Sequence, residues 1–329
     1  MKLVKIIILV FSITIYFISC SKSDKEENIQ ENSNMGIVSE HGMLYTNGNY
    51  IVDEHGAPIQ LKGMSLFWSQ WSGKFWNADV VHNLAQDWGC TVIRAAMGIE
   101  NGGYLTNPAT EKHKVITVVE AAIKEGIYVI IDWHAHDIHT NEAVTFFTEM
   151  AQKYKNVPNV IFEIYNEPDF ESWKEVKSYA ETVIGAIRSQ GATNLIVVGS
   201  PKWSQDVDIA ANDPITGYEN IAYTLHFYAG THKQELRNKA LIAMNKGLAL
   251  FVTEWGTCDA SGNGGLNLAE SEIWLNFLNK YLISWANWSL FDKDETASAL
   301  LPGASTTGPW PDSQLTESGK WVKSKIKPK

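Results

Sequence analysis

The sequence predicts an α/β chain closed into a (β/α)8 barrel of the TIM type, with a small N-terminal β-hairpin cap. Three observations lead there. Eight short apolar runs rich in Val, Ile and Leu recur along the 329 residues. Between them lie amphipathic segments with apolar residues at three- and four-residue spacing. No Gly-rich dinucleotide or phosphate loop follows any run, so an open doubly wound sheet would lack its usual ligand site. Alternating strands and helices force parallel pairing with right-handed crossovers, and eight such units close a barrel.

In chain order, Lys2 and Lys5 precede an apolar run over 6–18 that gives way after Ser19-Cys20 to a polar stretch over 21–34. That is the layout of a secretory signal, too short to span a bilayer comfortably. Phe17-Ile18-Ser19-Cys20 resembles a bacterial lipobox, which implies cleavage before Cys20 and lipidation of its thiol. The expected organisation is a lipoprotein-type signal peptide over 1–19, a flexible tether over 20–36 and the barrel over 37–329. The chain is then exported and meets a membrane only through this N-terminal anchor; a plain secretion signal with an incidental Cys20 is the alternative.

Asn47-Gly48 and Glu54-His55-Gly56 are turn signals between short alternating segments, which predicts the hairpin cap. Strands are expected at 59–67, 91–97, 128–134, 160–166, 195–199, 221–228, 249–254 and 284–290. Helices are expected at 112–125, 143–154, 171–187, 233–245 and 268–281, several stopping at Gly126, Gly191 and Gly247. This topology puts Cys90 before a strand and Cys258 just after one, at opposite barrel ends, so no disulfide is expected between them.

Composition narrows the ligand. With 27 Lys+Arg against 37 Asp+Glu the formal charge is −10, and no basic cluster interleaved with aromatics offsets it, which argues against nucleic acid. The chain holds 13 Trp, 12 Tyr and 12 Phe, more flat rings than a core this size needs. Such rings stack on the CH-lined faces of sugars.

In a barrel of this kind chemistry sits where strands end and βα loops begin. Read in order, the ends offer Trp68 and Trp71, Arg94, His134 with His136, Asn166-Glu167, Ser200, His226 with Tyr228, Glu254-Trp255, and Trp288. A core strand that finishes in a charge must satisfy it. Glu167 and Glu254 close the fourth and seventh runs, which face each other across the mouth. Two carboxyls converging on one cleft are what glycosidic cleavage requires, one protonated to donate and one ionised to attack or to activate water. Arg94 and the Tyr228 hydroxyl, if near Glu254, favour its charged form, and the charge of Glu254 in turn raises the pKa of Glu167.

The strings Val92-Ile93-Arg94-Ala95-Ala96-Met97, Ile130-Ile131-Asp132-Trp133-His134, Ile164-Tyr165-Asn166-Glu167-Pro168, Leu225-His226-Phe227-Tyr228, Val252-Thr253-Glu254-Trp255-Gly256 and Trp285-Ala286-Asn287-Trp288-Ser289-Leu290 resemble the signature blocks of glycoside hydrolase family 5, in its bacterial endo-β-1,4-glucanase branch. The resemblance implies Glu167 as acid/base and Glu254 as nucleophile of a retaining double displacement. It also implies that Asn166 bonds the sugar 2-hydroxyl, that Arg94 holds the nucleophile ionised with Tyr228 beside it, and that His134 and His226 bind the sugar in the cleavage subsite and orient the acid. Trp288 becomes the stacking floor and Trp71 a platform on the non-reducing side, while Lys293 and Glu295 match contacts to more distant glucose units. Phe67 and Gly98 depart from the branch, which often has His and Tyr there; both line the non-reducing side and bear on chain length and sugar preference.

The expected partner is a β-1,4-linked glucan, with no cofactor, no metal and a monomeric chain. Glucomannan and xyloglucan share the equatorial backbone and remain alternatives. The His134-Ala135-His136 string raises a metal-dependent hydrolase as a rival, but amidohydrolase-type barrels carry such a pair on the first strand, not the third. A non-catalytic glycan-binding surface lipoprotein is the other, separated by release of reducing ends from carboxymethylcellulose.

Overall fold

The computed structural model describes residues 36–327. The signal segment, Cys20 and all of the tether but Gly36 lie outside the described residues. Among the described residues no helix is long and apolar enough to cross a membrane.

A two-stranded hairpin, β1 (Tyr45–Asn47) and β2 (Tyr50–Val52), pairs antiparallel about Gly48 and Asn49. The eight expected strands follow as β3 (Lys62–Leu66), β4 (Val92–Gly98), β5 (Tyr128–His134), β6 (Val160–Glu163), β7 (Ile196–Val198), β8 (Ile221–Tyr228), β9 (Leu250–Gly256) and β10 (Ser284–Leu290). All pair in parallel, and β10 closes on β3 to complete the barrel. The five expected outer helices run over Pro108–Glu125, Thr140–Tyr154, Trp173–Ser189, Gln234–Asn245 and Leu268–Tyr281, and further helices stand at Ala78–Gln86 after β3 and at Glu317–Ile326 after β10. The first starts four residues before the expected 112 because Pro108 sits in its first turn, where a missing N–H costs nothing. It stops at Gly126, whose φ of +67° is the left-handed conformation that ends a helix. Ser172 and Glu175 form a capping box that starts the helix after β6.

Side chains alternate along each strand, so every second residue enters the barrel interior. The lowest interior layer is apolar: Val92, Ile130, Ile161, Val197, Ala222 and Phe251 pack with Leu44 and Ile51 from the hairpin segment. The hairpin thus plugs the N-terminal end. Two residues higher on four of these strands stand Arg94, Asp132, Glu163 and Thr253, all fully buried. The interior changes from apolar to polar on the way up, toward the end where the chain is free to build a site.

Two boundaries differ from expectation in ways that matter there. β6 ends at Glu163 rather than 166, yet the next residues stay tethered, since the N–H groups of Asn166 and Glu167 donate to the carbonyls of Trp133 and Ala135. In β9 the register against β8 slips by one between Phe251 and Glu254, and it also slips against β10. Such a bulge turns two successive side chains, Thr253 and Glu254, toward the same side. Cys90 lies just before β4 and Cys258 just after β9, both buried and free.

Candidate active site

Arg94 on β4 is the hub of the C-terminal mouth. Its guanidinium reaches β6 and β9, strands that are not its neighbours, and so crosses the barrel interior. Nε donates to Glu163 Oε2 at 2.8 Å, Nη1 to Glu254 Oε2 at 2.9 Å and Nη2 to Asn166 Oδ1 at 2.6 Å, while Nη2 also lies 2.9 Å from Asp132 Oδ2. Burial works against the guanidinium's charge, but Asp132, Glu163 and Glu254 outweigh it and hold the proton on. Three carboxyls share one cation, so not all of them can ionise cheaply. Burial pushes Asp132 up to about 8 and Glu163 up to about 7, against the pull of Arg94.

The two expected glutamates do meet. An oxygen of Glu167, an oxygen of Glu254 and a nitrogen of His226 all lie within 4.8 Å of one another. Glu254 accepts on both oxygens, from Arg94 on one and from the Tyr228 hydroxyl at 2.7 Å on the other. Glu167 has no cation at hydrogen-bond distance; its Oε1 is 2.9 Å from His226 Nδ1, and its Oε2 is 3.9 Å from His136 Nδ1. Burial raises Glu167 to about 7, with Glu163 and Asp169 adding to the shift and His136 and Arg94 opposing it. The upward direction matches expectation, but the cause is burial first, with Glu163 and Asp169 as the like charges rather than Glu254.

His134 Nδ1 is 2.7 Å from Asp132 Oδ2, and its ring stacks on Trp288 at 5.1 Å and 7°. Burial holds both His134 and His226 below the usual imidazole range, His226 at about 4, so both rings are neutral. Asn166 gives its oxygen to Arg94 and leaves its Nδ2 buried with no partner in the protein. A buried donor of that kind wants an acceptor from a ligand.

Aromatic rings extend the mouth into a cleft. Trp288 forms part of its floor against Phe67 at 5.2 Å, and Phe67 in turn stacks on Phe291. Trp71 is 53% exposed and lies 5.1 Å from Trp68. Gly98 leaves room that Gln70 occupies: a Cβ there would stand 1.8 Å from the Gln70 Oε1. Lys293 and Glu295 pair with each other at 2.5 Å, and Lys293 reaches over the Phe67 ring at 5.8 Å. On the far side, Glu167, Glu254, His226, Tyr228 and Trp203 line a cavity of about 380 Å³.

Four residues at or behind this site escaped the sequence reading. Asp132, Glu163 and Thr253 are polar residues inside apolar runs, a signal that was available. Trp203, 41% exposed, is set by three successive residues at φ of +56° to +58°, Lys202, Trp203 and Ser204, a conformation no sequence pattern announces. Side chains able to hold a metal converge twice among the described residues, at Glu167, His226 and Glu254 and at Glu100, Asp137 and His139; neither group contains the His134/His136 pair. In the first, both nitrogens of His226 and both oxygens of Glu254 already have protein partners.

Comparison with known proteins gives a consistent set of relatives. Residues 52–294 match the family described as Cellulase (glycosyl hydrolase family 5). Endoglucanase Z of Dickeya dadantii is 55% identical over 290 residues, covering 86% of this chain and 66% of that protein. An endoglucanase of Clostridium saccharobutylicum is 50% identical over 292 residues, covering 87% and 65%. The chain therefore spans about two thirds of the length of these curated relatives. Among solved structures, one from Cytophaga hutchinsonii superposes with a TM-score of 0.87 at 56% identity, covering 88% of this chain and 96% of that one. The catalytic domain of Thermobifida fusca endoglucanase Cel5A, solved in complex with cellotetraose, gives 0.83 at 34% identity, covering 88% and 98%.

Proposed function

The chain belongs to glycosyl hydrolase family 5, and from that premise we propose that it is an endo-acting β-1,4-glucanase that cleaves with retention of anomeric configuration. The observation that carries the reading is the glutamate pair: two carboxyls whose oxygens approach within 4.8 Å, held in opposite roles. Retention goes with carboxyls about 5 to 5.5 Å apart, whereas inversion needs about 6.5 to 9.5 Å to admit a water. Glu254, fixed by donors on both oxygens, is the nucleophile. Glu167, raised to about 7, carries its proton on a large share of molecules near neutral pH and is the acid that protonates the leaving oxygen, then the base that activates water.

The remaining residues take roles by position. Asn166 Nδ2 donates to the 2-hydroxyl of the sugar between the carboxyls, a contact that tightens in the transition state. Trp288 stacks beneath that sugar, with His134 beside it. Trp71 holds the chain toward its non-reducing end and Trp203 toward the reducing end. Lys293 and Glu295, locked to each other, border the non-reducing side through Phe67. A cleft with platforms on both sides of the cutting point suits internal cleavage, as the names and the cellotetraose complex of the relatives suggest. The protein acts as a monomer, exported and anchored through a lipidated Cys20 after removal of residues 1–19.

Incubation with carboxymethylcellulose tests the proposal: new reducing ends appear, and products caught early by NMR are β-anomers. Absence of reducing ends overturns the hydrolase reading, and α-anomers overturn retention. The same assay on mixed-linkage glucan, xyloglucan and glucomannan ranks the backbones that the Phe67 and Gly98 side of the cleft admits.

A further inference from the structure

Glu167 is the visible end of a hydrogen-bond chain that runs down into the barrel. Its Oε1 lies 2.9 Å from His226 Nδ1, and Nε2 of the same ring lies 2.8 Å from Thr253 Oγ1. The Thr253 hydroxyl donates to Glu163 Oε1 at 2.6 Å, and Glu163 is gripped by Arg94 through Nε at 2.8 Å and Nη2 at 3.2 Å. Thr253, His226 and Glu163 are fully or almost fully buried, so water does not complete these links.

Each link holds one proton, so the direction of one bond dictates the others. Arg94 donates twice to Glu163 and to no oxygen of Glu167, which makes Glu163 the ionised one of the two. The Thr253 hydroxyl then points its proton at Glu163 and shows the imidazole only lone pairs. A neutral His226 must answer with Nε2–H, leaving Nδ1 bare. The one proton able to fill the gap from Nδ1 to Glu167 is that of Glu167 itself.

Building on the hydrolase reading above, we propose that Thr253 and Glu163 are positioning residues that keep the acid loaded, by fixing His226 as its Nε2–H tautomer. In the first step the Glu167 hydroxyl turns from Nδ1 to the glycosidic oxygen; its O–H bond breaks and its proton goes to that oxygen, as the bond from the oxygen to the anomeric carbon breaks and Glu254 bonds to the carbon. Glu167 is left as a carboxylate facing a bare nitrogen lone pair. That repulsion strengthens it as a base. In the second step a water O–H bond breaks, its proton returns to Glu167, its oxygen bonds the anomeric carbon and the Glu254 ester bond breaks. Besides these groups, His136, Asp169, Arg94 and Glu254 act on Glu167 or His226. None of them fixes the ring's tautomer.

The test uses the intact enzyme. Nitrogen-15 NMR of histidine-labelled protein at neutral pH is expected to show His226 protonated at Nε2; protonation at Nδ1 overturns the proposal. Thr253→Val keeps the shape and removes the hydroxyl. It is expected to move the basic limb of kcat/KM to lower pH and to slow phenyl cellobioside about tenfold or more, while dinitrophenyl cellobioside, which needs little acid help, changes less than about threefold. Thr253→Ser restores both. An unmoved basic limb in Thr253→Val, or equal losses on the two substrates, overturns the proposal. Should Thr253→Val fail to fold, the NMR tautomer decides alone. If the unaltered protein hydrolyses neither cellobioside, it is the glucanase reading that fails, and the NMR experiment still judges the tautomer.

Discussion

Arg94 ties more of this site together than either glutamate. One planar fork satisfies Glu163, Glu254 and Asn166 and approaches Asp132, and a lysine ammonium has neither the reach nor the five fixed donors to replace it. Arg94→Lys therefore strands buried carboxyls and should destabilise the fold by about 3 to 5 kcal/mol, the usual result of breaking a buried ion network. Urea unfolding with an unchanged m-value checks this, and a loss under 1 kcal/mol would show the cluster held by other means. The glutamates separate by leaving group. Glu167→Gln should lose about 10²- to 10⁴-fold on poor leaving groups and far less on good ones, whereas Glu254→Gln should lose turnover on both. With Glu167 as the proposed acid, kcat/KM of the unaltered enzyme should fall above about pH 7, as that carboxyl gives up its proton. A profile flat to pH 9 would contradict its role as the acid. Glu167 and Glu254 were legible as the polar residues that close apolar runs, and Arg94 as a lone cation within one. Asp132 and Glu163 were equally visible as letters, but their meaning depends on which strand faces which across the interior, and that is a property of closure.

The strands place these groups through register, and one irregularity does the most. The bulge in β9 turns Thr253 and Glu254 inward together, where strict alternation would have sent one of them out to the helices. The run of apolar residues ending in Thr253-Glu254 reveals a strand and its end; nothing in it reveals the extra residue. Sequence reading therefore found the nucleophile candidate and missed the threonine beside it. Next along β9, Gly256 stands opposite Tyr228, and a Cβ there would lie 2.4 and 2.5 Å from two carbons of the tyrosine ring. Gly256→Ala must push that ring aside and break its bond to Glu254. A hydrogen bond to a charged group is worth about 1.5 to 3 kcal/mol, so kcat/KM should fall about 10- to 100-fold. Tyr228→Phe, which removes the same bond without strain, should fall by a similar factor. An alanine variant with unaltered kinetics would show that the ring holds its place by other contacts.

Across the whole molecule, acidic groups fall into two sets with opposite pH behaviour. Carboxyls outside the barrel interior, such as the buried Asp53, lowered chiefly by its bond to His41, and the exposed Glu175, lowered by Ser172, stabilise the fold above the ordinary carboxylate range and lose that contribution as pH falls through their folded values. The interior runs the other way. Asp132 rises from 3.8 to about 8 by burial, so the folded chain holds a proton that the unfolded chain has already released. Its contribution is complete below the ordinary carboxylate values and is lost as pH climbs through about 8, when a third carboxylate joins Glu163 and Glu254 around one guanidinium. Overall negative charge adds to the same trend at high pH. Stability should therefore peak near about pH 5 and fall toward pH 9, which Tm across that range measures. Asp132→Asn separates the two sources: it removes the interior titration while leaving the surface charge nearly intact, so its Tm should decline less between pH 6 and 9 than that of the unaltered protein. Parallel declines would assign the loss to surface repulsion and leave the buried cluster neutral in its effect.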